Sequence, residues 1–234
     1  MKDAYKIIGF DADDTLWVNE PYFREAENSF FQLMASYLSA EKTNELLYQI
    51  EMKNLSQYGY GIKSFVLSMI ETALKISKNS IPADAINDII ELGKLMLNRP
   101  VELLEGMEEI LKLLNNQGYK LIVATKGDLL DQERKLAKSN FEKYFHHIEI
   151  MSDKKESDYL KLLKHLDIEP VDFLMIGNSY KSDIEPVLNI GGSGIYMPFH
   201  TTWIHETTAE IKPHKKMHTI ANPGELKCIL NLCE

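Results

Sequence analysis

The segment 7–14 (IIGFDADD) constrains the fold of this chain more than any other feature. The apolar run 5–10 that leads into its carboxylates is too short for a helix and is typical of a buried strand in a parallel sheet. Asp11 and Asp13 then follow the carboxyl end of that strand, where open α/β sheets bind their ligands. Because neighbouring carboxylates repel each other and resist burial as anions, the cluster needs a compensating charge, which a divalent cation would supply.

The rest of the chain divides into a helical block and a region of alternating strands and helices. Apolar residues recur at three- and four-residue steps in the block, which Pro100 closes because proline disfavours helical geometry in the residue before it. The predicted helices of the block are 21–38, 40–57, 62–77 and 83–97. The later segments are predicted as strands 120–125, 147–151, 173–177 and 194–197 and helices 129–139, 158–165 and 184–189.

Repeated strand and helix units predict a doubly wound parallel sheet, an α/β Rossmann-like core with helices on both faces. We expect residues 1–15 and 99–234 to form this core. Residues 16–98 are expected to form an all-α helical cap inserted after the first strand. Such an insertion would lie above the carboxyl end of the sheet, as a lid over Asp11.

Charge and hydropathy disfavour two classes of partner. The net charge of −9 opposes non-specific binding to nucleic acid or to an anionic membrane, since both need basic surface. The first strand begins too early to leave room for a signal peptide, and no apolar run approaches membrane-spanning length. We therefore expect a cytoplasmic protein without a nucleic-acid or membrane partner. Its oligomeric state cannot be predicted from these features.

Polar residues at the ends of the predicted strands supply the groups that phosphoryl transfer requires. Asp11 is the candidate nucleophile, forming an aspartyl-phosphate, and Asp13 is the candidate general acid and base. Thr125 and the adjacent Lys126 are candidates for binding the phosphate, and Lys154 is the candidate for neutralising its charge. The sequence thus predicts catalytic residues on three different strand ends.

A magnesium site is predicted at the same ends of the predicted strands. Asp183 follows the strand 173–177 and would bind Mg²⁺ together with the carboxylate of Asp11, the backbone carbonyl of Asp13 and water molecules. Mg²⁺ prefers hard oxygen ligands of this kind.

Taken in order, these motifs resemble those of a phosphatase of the haloacid dehalogenase superfamily with a helical cap. The resemblance covers the whole chain, and it is carried by 11–15 (DADDT), Thr125, Lys154, 177–179 (GNS) and Asp183.

The resemblance implies three further assignments. Residues 16–98 correspond to the mobile cap that this superfamily inserts after its first motif. Asn178 takes a position that is often acidic in the last motif, and its amide would orient a metal-bound water. Lys154 fits the pattern better than its neighbour Lys155, which is the alternative for the site lysine.

Asp13 favours one chemistry within the superfamily. The resemblance implies that the motif of the related dehalogenases has no acid at this second position. A halide leaves without protonation, whereas an alkoxide needs a proton. We therefore expect a Mg²⁺-dependent phosphatase acting on a small phosphorylated metabolite. The alternatives are a sugar phosphomutase and a catalytically inactive relative that binds a phosphorylated ligand. The identity of the metabolite stays open.

The segment 57–63 (QYGYGIK) joins two predicted cap helices and is a candidate for substrate binding. Tyr58 and Tyr60 could stack on a substrate, and Lys63 could bind a second anionic group. Lid segments with glycine hinges often contact substrates. The alternative is a surface loop in which the glycines supply flexibility alone.

Overall fold

The computed structural model describes residues 5–207 and 210–232. The chain divides into two compact units. One, the sheet unit, contains the described parts of 1–20, 101–126 and 135–234, and the other, the helical unit, contains 21–100 and 127–134.

The sheet unit is built on six parallel strands. Their order across the sheet is β3-β2-β1-β4-β5-β6, which confirms the expected doubly wound α/β, Rossmann-like core. The strands are β1 Ile7–Phe10, β2 Lys120–Lys126, β3 His147–Met151, β4 Phe173–Gly177, β5 Ser193–Tyr196 and β6 Met217–Thr219. The helices between and after them are α5 Met107–Asn116, α6 Leu129–Ser139, α7 Glu156–His165, α8 Glu185–Asn189 and α9 Leu226–Ile229.

Alternate residues of β1 face opposite sides of the sheet, as strand geometry requires. Ile8 and Phe10 pack in the apolar cluster that includes α5, whereas Ile7 packs in the cluster that includes α7. Both faces of β1 are therefore covered. Burial on both faces explains why the strand sequence is apolar throughout rather than alternating.

The register of β1 brings three predicted site residues to neighbouring strand ends. Phe10 pairs with Val123 of β2 on one side and with Ile176 of β4 on the other. The amide of Asp11 donates a hydrogen bond to the carbonyl of Ile176 at 2.9 Å. Thr125 lies two residues beyond Val123 in β2, and Asn178 lies two residues beyond Ile176, so both are at the carboxyl ends of the strands that flank Asp11.

The helical unit is built on α1 Glu20–Met34, α2 Ala40–Tyr58, α3 Ile62–Ile76 and α4 Ala83–Asn98. These helices share an apolar core that includes the fully buried Phe30, Met69 and Ile89. At Gly93 of α4, a Cβ atom would lie 2.3 Å from Cγ2 of Val66 in α3. Glycine at this position therefore permits the close packing of α3 against α4.

The unit boundaries differ from the bounds 16–98 expected for the cap. Residues 16–20 fold with the sheet unit, because the carboxylate of Asp14 accepts hydrogen bonds from the amides of Asn19 and Glu20, and Trp17 bridges to Leu103. Residues 127–134 fold with the helical unit, although they follow β2 directly.

Four elements also depart from the sequence-based predictions. The helix expected to reach residue 38 ends at Met34. The helices α5 and α9 and the strand β6 had not been predicted. Within the described residues, no helix combines the length and the apolar character needed to cross a membrane.

Candidate active site

Lys154, Asp11 and Asp183 form a buried cluster at the carboxyl end of the sheet. The ammonium of Lys154 pairs with Oδ1 of Asp11, and it lies 2.6 Å from Oδ1 of Asp183. All three residues are at least nine-tenths buried, and the ammonium group therefore balances carboxylates that water cannot solvate. Lys155 instead lies on the surface, where it pairs with Asp153 at 2.8 Å.

The cluster holds two carboxylates and one ammonium group, so its pKa values are strongly perturbed. Burial raises the pKa of Asp11 to about 7, with the charges of Asp183 and Asp13 adding to the rise and Lys154 opposing it. Burial by itself would lower the pKa of Lys154, but Asp11 and Asp183 outweigh it and raise that pKa above its ordinary value. The lysine is thus charged.

Asp13 is held by two donors from the sheet unit. Its carboxylate accepts a hydrogen bond from the indole nitrogen of Trp17 at 2.7 Å and pairs with the ammonium of Lys135 at 3.0 Å. Lys135 also donates to the side-chain oxygen of Asn19 at 2.7 Å. These contacts fix the predicted acid in place. The sequence analysis did not identify Lys135, which lies in α6 and is 122 residues from Asp13 along the chain.

Thr125 and Asn178 occupy the ends of the strands on either side of β1. Thr125 is 2% exposed, and its hydroxyl donates to the carbonyl of Lys126 at 3.4 Å. The side-chain oxygen of Asn178 accepts a hydrogen bond from the hydroxyl of Thr15 at 3.4 Å. Both residues therefore lie at the edge where the chemistry was expected.

Lys126 takes part in a polar network that the sequence analysis missed. Its ammonium group pairs with the carboxylate of Glu206 and donates to the hydroxyl of Ser182 at 2.9 Å. Burial alone would raise the pKa of Glu206, but Lys126 and the hydroxyl donors Ser179 and Ser182 outweigh it and lower the pKa to about 2. The charge of Lys126, predicted to bind substrate, is therefore already paired.

Tyr58, Tyr60 and Lys63 all belong to the helical unit. The Tyr58 side chain is exposed, and the ammonium of Lys63 pairs with the carboxylate of Asp128 at 2.8 Å within that unit. A Cβ atom at Gly61 would lie 3.1 Å from Cβ of Asp128. Two residues of the segment 57–63 thus contact Asp128, whereas a Cβ atom at Gly59 would meet nothing within 4 Å.

The donors at the sheet edge suit Mg²⁺. Asp11 and Asp183 offer buried carboxylates and Asn178 an amide oxygen, which are the hard oxygen ligands that Mg²⁺ prefers. The side chain of Asp13 contacts Trp17 and Lys135, and its backbone carbonyl, the group predicted from the sequence, stays the candidate ligand. Among the described residues, no group of three or more His, Cys, Asp or Glu side chains is placed to hold a metal, so carbonyl and water oxygens would have to complete the shell.

The family model of haloacid dehalogenase-like hydrolases matches residues 5–191. A haloacid dehalogenase-like family hydrolase from Xanthomonas campestris is 36% identical with a TM-score of 0.87, over 98% of this chain and 91% of that one. The magnesium-bound HAD-hydrolase YfnB from Bacillus subtilis is 20% identical (TM-score 0.65; 97% and 99% covered). A 2-haloacid dehalogenase from Pseudomonas syringae pv. tomato is 17% identical (TM-score 0.64; 97% and 99% covered). Further similar structures are described as phosphatases or as dehalogenases, and comparison with curated proteins finds no match.

Proposed function

Because the chain belongs to the haloacid dehalogenase-like hydrolases, we propose that it is a Mg²⁺-dependent phosphatase that hydrolyses a small phosphorylated metabolite. Membership of the family makes it a hydrolase, and the type of bond that it cleaves is our proposal. Asp13 carries this proposal. A carboxyl group two residues after the nucleophile, held by Trp17 and Lys135, supplies in its protonated form the proton that an alkoxide leaving group needs and a halide does not.

The proposed reaction has two steps. The carboxylate of Asp11 attacks phosphorus, the bond to the ester oxygen breaks, and that oxygen leaves with a proton from Asp13. Asp13 then takes a proton from a water molecule, which attacks the aspartyl-phosphate and releases inorganic phosphate and free Asp11. Lys154 stabilises negative charge on Asp11 and on the transferring phosphoryl group throughout.

The residues that would hold Mg²⁺ are Asp11, Asp183, Asn178 and the backbone carbonyl of Asp13. When bound, the cation supplies charge neutralisation for the phosphate oxygens. The hydroxyl of Thr125 would donate a hydrogen bond to one of these oxygens, and the ammonium of Lys126 would add positive charge nearby.

Selection of the metabolite is proposed to involve the helical unit. Tyr58 and Tyr60 offer rings for stacking, and Lys63 offers a charge that a second anionic group could draw away from Asp128. The cytoplasmic location expected from the sequence is part of the same proposal.

The test is a screen for inorganic phosphate release over a panel of sugar phosphates, nucleoside monophosphates and phosphorylated cofactors with Mg²⁺. Asp11→Asn is the background control, because an amide keeps the size of the side chain but does not attack phosphorus. Parallel reactions with 2-chloropropionate measure chloride release. Phosphate release that depends on Asp11 supports the proposal, whereas chloride release, or conversion of hexose phosphates without phosphate release, would refute it.

A further inference from the structure

Glu206 brings a carboxylate to the active-site edge from a distant part of the chain. It lies in a short turn, Ile204–Glu206, in the connection between β5 and β6. The side chain is only 11% exposed and receives three donors: the ammonium of Lys126, the hydroxyl of Ser179, and the hydroxyl of Ser182 at 2.6 Å. A buried carboxylate with three donors is a fixed point around which those donors are arranged.

Two of these donors define the loop that presents Asp183. The hydroxyl of Ser179 accepts a hydrogen bond from the amide of Ser182 at 3.1 Å, and the amide of Ser179 donates to Oδ2 of Asp183 at 2.9 Å. The other oxygen of Asp183 contacts Lys154. A Cβ atom at Gly177 would lie 2.3 Å from Oδ2 of Asp183, so this carboxylate is packed directly on the end of β4. The position of Ser179 therefore sets the position of Asp183.

We propose that Glu206 is a positioning residue, which holds the loop 178–183 and the ammonium of Lys126 in the arrangement that the active site uses. It acts through Ser179 and Ser182 and contacts none of the reacting atoms. Its effect on catalysis rests on the proposed phosphatase function, whereas its effect on the loop does not.

Removal of the carboxylate would leave its donors converging on an empty position. The side chain of Lys126 is only 15% exposed, so its ammonium would lose its counter-charge in a poorly solvated place. The hydroxyls of Ser179 and Ser182 would have to turn toward other acceptors. The backbone amide of Ser179, which donates a hydrogen bond to Asp183, would move with them. The loop would then hold Asp183 less firmly.

The experiment compares Glu206→Ala with the wild type and with Glu210→Ala, a control that removes an exposed carboxylate of the same connection. Amide hydrogen exchange is measured across the whole chain, and kcat/KM is measured with p-nitrophenyl phosphate and Mg²⁺. In Glu206→Ala we expect exchange in 178–183 to rise and kcat/KM to fall by about 10-fold each, equivalent to about 1.4 kcal/mol. Formate, which can enter the vacated carboxylate position, should reverse part of both changes, and Glu210→Ala should match the wild type.

Unchanged exchange in 178–183 would overturn the proposal. Faster exchange with unchanged kcat/KM, or a loss that formate does not reverse in the folded variant, would also overturn it, since a merely structural role predicts those results. If the wild type hydrolyses no phosphate monoester, the proposed function fails, and the exchange of 178–183 with and without formate still decides whether Glu206 positions the loop. If the alanine variant does not fold, Glu206→Gln, which keeps the shape and removes the charge, replaces it for hydrogen exchange and kcat/KM without formate, and unchanged exchange in 178–183 would then overturn the proposal.

Discussion

Replacing Lys154 by methionine should destabilise the protein strongly. Methionine keeps most of the stem and removes the ammonium that lies between Oδ1 of Asp11 and Oδ1 of Asp183. Both carboxylates then stay buried without a cation, and breaking a buried ion pair from one side costs about 3–5 kcal/mol. For a chain of this length, each kcal/mol lowers Tm by about 2–4 °C, so the expected loss is about 6–20 °C.

The loss should depend on pH in a defined direction. In the wild type the pKa of Asp11 is raised from 3.8 to about 7, so the folded state binds this proton more tightly than the unfolded state does. Ionisation of Asp11 therefore reduces stability as the pH rises between those two values. Without Lys154 the pKa rises further, and the difference in Tm between variant and wild type should widen from pH 6 to pH 9.

Thermal unfolding followed by circular dichroism measures this prediction, and Lys155→Met is the matched control. Lys155 pairs with Asp153 on the surface, so its loss should leave Tm close to that of the wild type. The double variant Asp11→Asn with Lys154→Met should recover part of the Tm, because one of the two buried charges is gone. Equal Tm values for Lys154→Met and Lys155→Met would refute the reasoning. A double variant that is less stable than Lys154→Met would also refute it.

Four further outcomes are expected. Asp13→Asn should slow hydrolysis of alkyl phosphates at least about 10-fold more than that of p-nitrophenyl phosphate, whose phenolate leaves without a proton; equal losses in kcat would contradict its role as the acid. Lys63→Ala should raise KM for the best metabolite from the panel by about 10-fold and leave KM for p-nitrophenyl phosphate unchanged, which paired saturation curves would show. Gly93→Ala should cost about 1–3 kcal/mol in urea unfolding, since its Cβ would meet Val66 at 2.3 Å, and a compensating Val66→Ala should restore part of the loss. Glu206, with a pKa lowered from 4.5 to about 2, stabilises the folded state above pH 4.5 and loses this effect as the pH falls toward 2, so urea unfolding of Glu206→Gln should show a weaker acid dependence than the wild type.

Elements with a strong periodic pattern could be predicted from the sequence. The strand 173–177 and the helix 129–139 have the predicted bounds, because an apolar run identifies the first and three- to four-residue spacing the second. The helix α5 carries the same signal in Met107, Ile110 and Leu114, and the pattern could have found it. Strand β6 has three residues and is largely exposed, so it has no apolar pattern to detect.

The same distinction applies to the candidate site. Asp11, Thr125 and Asp183 follow predicted strands closely, so their position at the carboxyl edge follows from the topology of a parallel sheet. Glu206 and Lys135 reach the site from 80 and 122 residues away from their partners Lys126 and Asp13. No local pattern in the sequence encodes such contacts, because they exist only once the chain has folded.

The two-part composition of the helical unit limits how this protein can be re-engineered. Residues 127–134 belong to that unit yet continue directly from Thr125 and Lys126 at the end of β2. A chimera that exchanges only 21–100 would therefore combine foreign helices with the original residues 127–134. It would lose contacts between the two segments, such as the ion pair of Lys63 with Asp128. The end of β2 and part of the helical unit are encoded by one uninterrupted stretch. Recombination within this family would thus tend to transmit the end of β2 and residues 127–134 together. A transplanted helical unit should include both 21–100 and 127–134.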